Sequence, residues 1–357
     1  MRVLVTGGAG FIGSHIVDGL LAAGVDVRVL DSLDPAAHGS TAPALDPRAE
    51  LLVGDLADAA TATAAVDGVD AVCHQAAKVG LGVDFGDAGD YVHNNDAGTA
   101  SLLAALWRRE FSGRLVLASS MVVYGEGRAR CRSHGVVTPP PRRASDLDAG
   151  DFDWHCPDAG CTRQLAWVAV GESAPLDPRN VYAATKLHQE HLCFLWGREA
   201  GARVLALRYH NVYGPRMPRG TPYAGVASIF RSALAAGTLP EVYEDGAQTR
   251  DFVQVRDVAR ANLLALTHLD PPSGAYNIAS GEPHTVLDMA RAIAGSHDAA
   301  LAPVVTGAWR LGDVRHIVAS PARAAEELGF RASVGFDEGM AEFAAAPLRP
   351  AAAAVGN

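Results

Sequence analysis

The sequence predicts an α/β protein, a doubly wound parallel sheet followed by a smaller α+β unit. Three observations lead there. Short apolar runs alternate with helical patterns through the first 125 residues. A glycine-rich turn lies between the first strand and the first helix. The chain has 357 residues, 49% of them hydrophobic, which is enough to bury a sizeable core. Strands are expected at Arg2–Thr6, Asp26–Leu30, Leu51–Val53, Ala71–His74 and Arg114–Ala118. A helix from about Gly13 to Ala23 puts Ile16, Leu20 and Leu21 on one face, with Gly24 just beyond its end. Right-handed crossovers between such units cover both faces of one sheet.

Beyond residue 125 the pattern breaks. Residues 126–172 carry Arg128, Arg130, Arg132, Arg142 and Arg143 around Pro139, Pro140 and Pro141, then Asp146, Asp148, Asp151 and Asp153. They read as an inserted surface excursion rather than a core element. Regular structure resumes with a helix over Val181–Glu199, ending before Gly201, and a strand at Val204–Leu207. Further helices are expected at 226–236, 257–267, 285–294 and 321–328. Thr285 caps the third of these. Ser320 caps the fourth, with Pro321 at its first position and Gly329 past its end. The domains expected are 1–208, with the 126–172 insert and some later segments returning to it, and 209–345, before a tail at 346–357 that frays at Ala351–Val355.

Thirty Lys plus Arg against 40 Asp plus Glu give a net charge of -10, which argues against non-specific nucleic-acid or anionic-membrane binding. An anionic ligand then needs a local cluster of arginines and backbone N–H donors. Five cysteines, Cys73, Cys131, Cys156, Cys161 and Cys193, are an odd number, so reduced thiols in a cytoplasm are expected. No apolar run approaches the roughly 18 residues of a membrane span.

Gly7, Gly10 and Gly13 sit between a strand and a helix, the context of a dinucleotide-binding turn in a Rossmann-type sheet. Gly7 permits the tight turn, Gly10 lets the backbone approach a pyrophosphate, and Gly13 packs helix on strand. Asp31, 24 residues after Gly7, suits ribose hydroxyls and repels a 2′-phosphate, which favours NAD over NADP. Tyr182 and Lys186 share one face of a helix at i and i+4. Ser119 and Ser120 lie at the end of the fifth strand, where parallel sheets meet ligands. Ser120 is placed to orient a substrate hydroxyl toward Tyr182, whose phenolate a nearby cation favours.

With these motifs the chain resembles the extended short-chain dehydrogenase/reductase family, the NAD-dependent epimerases and dehydratases, over residues 1 to about 330. The resemblance implies a nucleotide-diphosphate sugar substrate, UDP- or dTDP-linked, and further cofactor contacts. These are Phe11 and Ile12 in the glycine turn, Ser32 after Asp31, Asp55 and Leu56 at the adenine, and Gln75, Ala76 and Ala77 after the fourth strand. Asn95 belongs near the nicotinamide ribose, which Lys186 also holds. The segment Tyr209-His210-Asn211-Val212-Tyr213-Gly214-Pro215 resembles the loop flanking the nicotinamide, with Asn211 a substrate contact. Arg250, Arg310 and Asp313 match positions that clasp the diphosphate and nucleotide ribose, a task suited to a guanidinium fork.

Dehydratases of the family usually carry an Asp-Glu pair or a single Glu just after the catalytic Thr or Ser. Here Met121 and Val122 follow Ser120, and elimination without a general acid forfeits roughly 10²–10⁴ in rate. The resemblance therefore implies a 4-epimerase, similar to the dTDP-rhamnose 4-epimerase-like group. A 4-keto reductase or dehydrogenase is the alternative. A non-enzymatic dinucleotide sensor is disfavoured because Ser120, Tyr182 and Lys186 are all present. A homodimer through helices around 97–109 and 181–199 is expected by analogy, with Ala97, Ala100, Ala104 and Ala105 allowing close approach.

One pattern in the insert lies outside the family motifs. Cys131 and His134 stand at C-x-x-H spacing, and Cys156 and Cys161 follow at C-x₄-C after 21 residues. Two short pairs joined by a longer loop is the organisation of a structural zinc site. His155 competes as a ligand, and a mobile loop with free thiols is the alternative.

Overall fold

The computed structural model describes residues 1–38, 45–80, 85–219, 225–298 and 300–349, so the tail at 351–355 lies outside the described residues. Seven strands form the central sheet. Their spatial order is Gly274–Ile278, Arg203–Tyr209, Arg114–Ser120, Ala71–His74, Arg2–Thr6, Asp26–Asp31 and Glu50–Val53, and every pairing is parallel. Chain order reverses at Arg2–Thr6, so a crevice opens at the carboxyl ends of the strands beside it.

The pleat sends alternate residues to opposite faces. Val3 and Val5 join Ile16, Leu20, Val258 and Ala261 on one face. Leu4 joins Leu30, Val72, Leu102, Leu106 and Trp196 on the other. The Phe11–Ala22 helix covers the first face, and Gly24 turns the chain at φ 73. The Gly98–Arg108 and Val181–Ala200 helices cover the second.

Gly274–Ile278 returns from late in the chain to edge the central sheet. The rest of that region builds a smaller unit. Thr249–Gln254 pairs parallel with Asn211–Tyr213 and His316–Ile317 and antiparallel with Pro283–Thr285. Helices Val226–Ala235, Val286–His297 and Phe336–Ala345 close over Phe230, Met289 and Phe343. Thr285 caps its helix in a reciprocal capping box with Asp288.

Two expectations are corrected. The fourth late helix spans Ala322–Glu327 with Pro321, not Ser320, at its N-cap. Ser320 stays extended because its N–H donates to Val170 at 2.8 Å and its carbonyl accepts from Asn277. The insert is more than an excursion. Arg128–Cys131 pairs antiparallel with Gly135–Val137 and Ala166–Val168, over a small core of Ala129, Cys131, Trp154, Cys156 and Leu165.

Candidate active site

The first strand runs directly into the glycine turn, where Gly7 takes φ 66. A Cβ there would stand 2.7 Å from the backbone of Ala76, and one at Gly13 would stand 2.2 Å from the Gly7 carbonyl. Side chains at either position would push the loop off the sheet. Gly10 caps the Phe11–Ala22 helix with no side-chain acceptor and no acidic residue in the first turn. The first N–H groups and the positive dipole end are thus left for an anion.

Asp31 closes the second strand. Its carboxylate accepts from the Ala9 N–H at 3.0 Å and the Leu33 N–H at 3.0 Å, and lies 3.1 Å from His38 Nε2. Ser32 follows it, exposed. This turn, open helix end and anchored carboxylate fit a dinucleotide. The sequence reading missed Arg349, which reaches back across more than 330 residues. It donates to the carbonyls of Ala9 at 2.7 Å and Gly10 at 2.9 Å and to Ser14 Oγ at 3.0 Å. No local motif marks it.

The other expected cofactor residues divide by what they touch. Leu56 is buried, while Asp55 lies 2.9 Å from His93 Nε2. Ala76 donates to Thr6 Oγ1 at 3.2 Å, fastening the 75–77 loop to the first strand. Gln75 accepts from the buried Tyr209 hydroxyl at 3.1 Å. Asn95 is fully buried; it donates to the Lys78 carbonyl at 3.0 Å and to Thr185 Oγ1 at 2.9 Å. Asn95 thereby clamps the loop against the helix that carries Tyr182. His210 and Asn211 present buried ring nitrogens and an amide oxygen with no hydrogen-bond partner. Orphaned polar atoms at the carboxyl end of a strand suit a ligand. Burial holds the His210 imidazole down to about 3, so it is neutral.

Ser120 ends the fifth strand. The Val181–Ala200 helix starts at Asn180, whose side chain accepts from the Ala183 N–H at 2.8 Å, and so Tyr182 falls in its first turn. Lys186 is buried one turn later. Its Nζ donates to the Ala118 carbonyl at 2.9 Å and sits 5.9 Å from the centroid of the Tyr182 ring. Desolvation pushes the Tyr182 hydroxyl up to about 12, against the lowering effect of its hydrogen bond with Ser120. Desolvation likewise brings Lys186 down to about 7. The arrangement can orient a hydroxyl and move its proton.

Two buried carboxylates beside the fifth strand are already engaged. Glu190 accepts from Ser119 and takes a two-point pair from Arg208 at 2.9 and 2.8 Å, with Arg208 also donating to Tyr124. Glu126 accepts from Trp154 Nε1 at 3.1 Å and from the Arg315 N–H at 3.0 Å. Met121 and Val122 lie in a short 3-10 turn between them and offer no acid.

On the substrate side, Arg250 donates to the carbonyls of Thr249, Arg315 and Val314 at 2.9, 2.9 and 2.5 Å. It therefore straps the 249–254 strand to the 314–315 segment. Arg310 lies exposed over the Tyr243 ring at 5.1 Å. Asp313 feels the charges of Arg250, Arg310 and Arg142, although burial pushes its carboxyl up. The sequence reading missed Arg315, which is almost fully buried and bonded to Asp153, Glu244 and Asp245. Away from the crevice, the ligand atoms of Cys131, His134, Cys156 and Cys161 all lie within 4.8 Å of one another. His155 instead turns to Asp151 at 3.7 Å.

The model of the NAD dependent epimerase/dehydratase family matches residues 3–145 and 168–279. The chain belongs to this family. A dTDP-L-rhamnose 4-epimerase of Burkholderia thailandensis is 34% identical over 346 residues, covering 96% of this chain and 93% of the relative. A dTDP-glucose 4,6-dehydratase of Actinoplanes sp. is 28% identical over 352 residues, 96% of each chain. Among solved structures, the Thermus thermophilus UDP-glucose 4-epimerase complex with NAD superposes with a TM-score of 0.77 at 32% identity, covering 96% of this chain and 98% of the other. The NAD dependent epimerase/dehydratase fold thus spans nearly the whole chain. Among the described residues no helix is long and apolar enough to cross a membrane.

Proposed function

We propose that the chain is a nucleotide-sugar 4-epimerase that uses NAD. One observation carries the reading against its dehydratase relatives. Ser120, Tyr182 and Lys186 stand together at the carboxyl edge, while Met121 and Val122 take the places where elimination needs carboxylates. Bound NAD supplies a hydride acceptor that can return what it takes. The chain's residues handle everything else. Ser120 orients the C4 hydroxyl, and Tyr182 removes its proton and later gives it back. Lys186, anchored on the Ala118 carbonyl, positions the helix that carries Tyr182 and holds the nicotinamide ribose. His210 and Asn211 offer buried polar atoms just beyond the carboxyl end of the Arg203–Tyr209 strand.

The substrate is a nucleotide-diphosphate sugar, UDP- or dTDP-linked. Arg310, beside the 314–315 segment that Arg250 straps, supplies the local positive charge that an acidic chain needs for such an anion, and Asp313 suits a hydroxyl of the nucleotide ribose. Asp31 selects NAD over NADP. The helix at Gly98–Arg108 shows Ala97, Ala100, Trp107 and the nearby Val92 to solvent, and Leu195 is exposed on the Val181–Ala200 helix. That surface supports a homodimer. Ala105 packs inside the subunit and takes no part in it. Five unpaired cysteines fit a reducing cytoplasm. Incubation with a panel of UDP- and dTDP-sugars tests the function. A 4-epimer without NADH accumulation is expected, and stoichiometric NADH or a dehydrated keto-sugar would overturn it.

A further inference from the structure

The insert's small sheet encloses only five buried core side chains, and two of them are Cys131 and Cys156. A module with so little apolar surface needs another source of folding energy. The two ligand pairs come from opposite ends of the module. Cys131 and His134 flank the hairpin between Arg128–Cys131 and Gly135–Val137, where Gly135 takes φ 75. Cys156 and Cys161 flank a second turn, in which Gly160 takes φ 79 and the Cys161 N–H donates to the Asp158 carbonyl. The Cys156 N–H donates to Arg163 at 3.0 Å, which closes that turn.

Cys131 Sγ lies 3.9 Å from Cys161 Sγ and 3.7 Å from His134 Nδ1, and His134 Nδ1 lies 3.2 Å from Cys156 Sγ. A tetrahedral zinc ion with ordinary Zn–S and Zn–N bonds has S···S edges of about 3.8 Å and S···N edges of about 3.5 Å. The two S···N distances bracket the second value, the S···S distance lies next to the first, and all four ligand atoms fall within 4.8 Å of one another. The sulfurs of Cys131 and Cys161 are far beyond disulfide bonding distance. The Ser133 N–H points at Cys131 Sγ at 3.4 Å, a donor that stabilises a thiolate. Asp158 Oδ2 lies 3.2 Å from His134 Nδ1, beside the tetrahedron.

We propose that Cys131, His134, Cys156 and Cys161 bind one structural zinc ion, and that this ion locks the insert against the substrate-side segment 310–316. The three cysteines bind as thiolates, giving up three protons to solvent, and His134 binds through Nδ1. The lock is visible in the contacts just before Cys156. Trp154 donates to Glu126 and stacks edge-on against His316 at 5.0 Å, and Asp153 accepts from Arg315 at 2.8 Å. Arg142, from the same module, donates to Glu244 at 2.8 Å and to the Asp313 carbonyl at 2.6 Å. The family match breaks at 146–167, the stretch that contributes Trp154, Cys156 and Cys161. Two of the four ligands, Cys156 and Cys161, thus lie outside the stretch that the family model matches, while Cys131 and His134 lie within it.

The positioning half of this proposal rests on the epimerase reading; the metal half does not. Elemental analysis of the purified full-length protein should find one zinc per chain. Replacing the metal with cobalt should produce the thiolate charge-transfer and d–d absorption of a tetrahedral S₃N site. Cys161→Ser and His134→Ala should each lose the metal and the cobalt spectrum. Metal-free protein whose insert thiols react at once with a thiol dye, a Cys131–Cys161 disulfide, or a different stoichiometric metal would overturn the site. A His134→Ala protein that keeps its zinc would overturn the ligand set and point to Asp158. Zinc release by a mercurial should raise KM for the nucleotide sugar by about tenfold while bound NAD stays constant. Unchanged KM would overturn the positioning role. If no nucleotide sugar turns over, zinc content and cobalt spectrum still decide the metal site, so that failure belongs to the epimerase reading alone.

Discussion

Lys186 Nζ donates to the Ala118 carbonyl across 2.9 Å of protein interior, tying the Tyr182 helix to the strand that ends in Ser120. Burial holds this ammonium at about 7, below the usual 10.5. Between those values the unfolded chain binds the extra proton, so raising the pH from 7 toward 10.5 stabilises the fold; below 7 both states carry the proton and the penalty is constant. Denaturant unfolding of the cofactor-free protein should show this rise, and Lys186→Met should lack it. A flat wild-type profile across that window would contradict the buried ammonium.

Turnover should depend on Tyr182. Tyr182→Phe is expected to cut kcat by at least about 10²-fold while NAD remains bound, because only the acid–base hydroxyl is lost. Steady-state rates check this. Near-normal kcat in the Phe variant would remove Tyr182 from the chemistry.

Asp31→Ala should weaken NAD far more than NADP. The carboxylate that accepts from Ala9 and Leu33 disappears, and with it the repulsion of a 2′-phosphate. Titration of the cofactor-free protein with both dinucleotides gives the ratio. Equal losses for the two would end the specificity argument.

Arg349→Ala should loosen the glycine turn that its guanidinium holds through Ala9, Gly10 and Ser14. Losing charge-assisted hydrogen bonds worth about 1.5–3 kcal/mol corresponds to an NAD affinity lower by about tenfold or more. Calorimetric titration measures it, and unaltered NAD binding would show the turn to be self-supporting.

Glu190→Gln should destabilise the fold by about 3–5 kcal/mol, because it leaves the Arg208 guanidinium buried without its counter-charge. Chemical denaturation reports the loss. A variant as stable as wild type would mean that Tyr124 and the Glu172 carbonyl alone satisfy Arg208.

The sequence by itself determined the strand–turn–helix of the cofactor site. Apolar runs such as Val3–Val5, the three spaced glycines and the Val181–Glu199 helical pattern that carries Tyr182 and Lys186 and stops before Gly201 are local signals, written in residues a few positions apart. Spacing likewise marked Cys131, His134, Cys156 and Cys161, whose side-chain atoms the fold brings within 4.8 Å of one another. Only the tertiary structure decided what long-range contacts make. Arg349 reaches the glycine turn, Gly274–Ile278 returns to the central sheet, and Arg315 is buried among Asp153, Glu244 and Asp245. It also showed Arg250 donating to the carbonyls of Arg315 and Val314, and Asn95 donating to that of Lys78. Partners hundreds of residues apart leave no periodicity or spacing in the chain. A buried charge finds its counter-charge only once the sheet and the insert have closed around it.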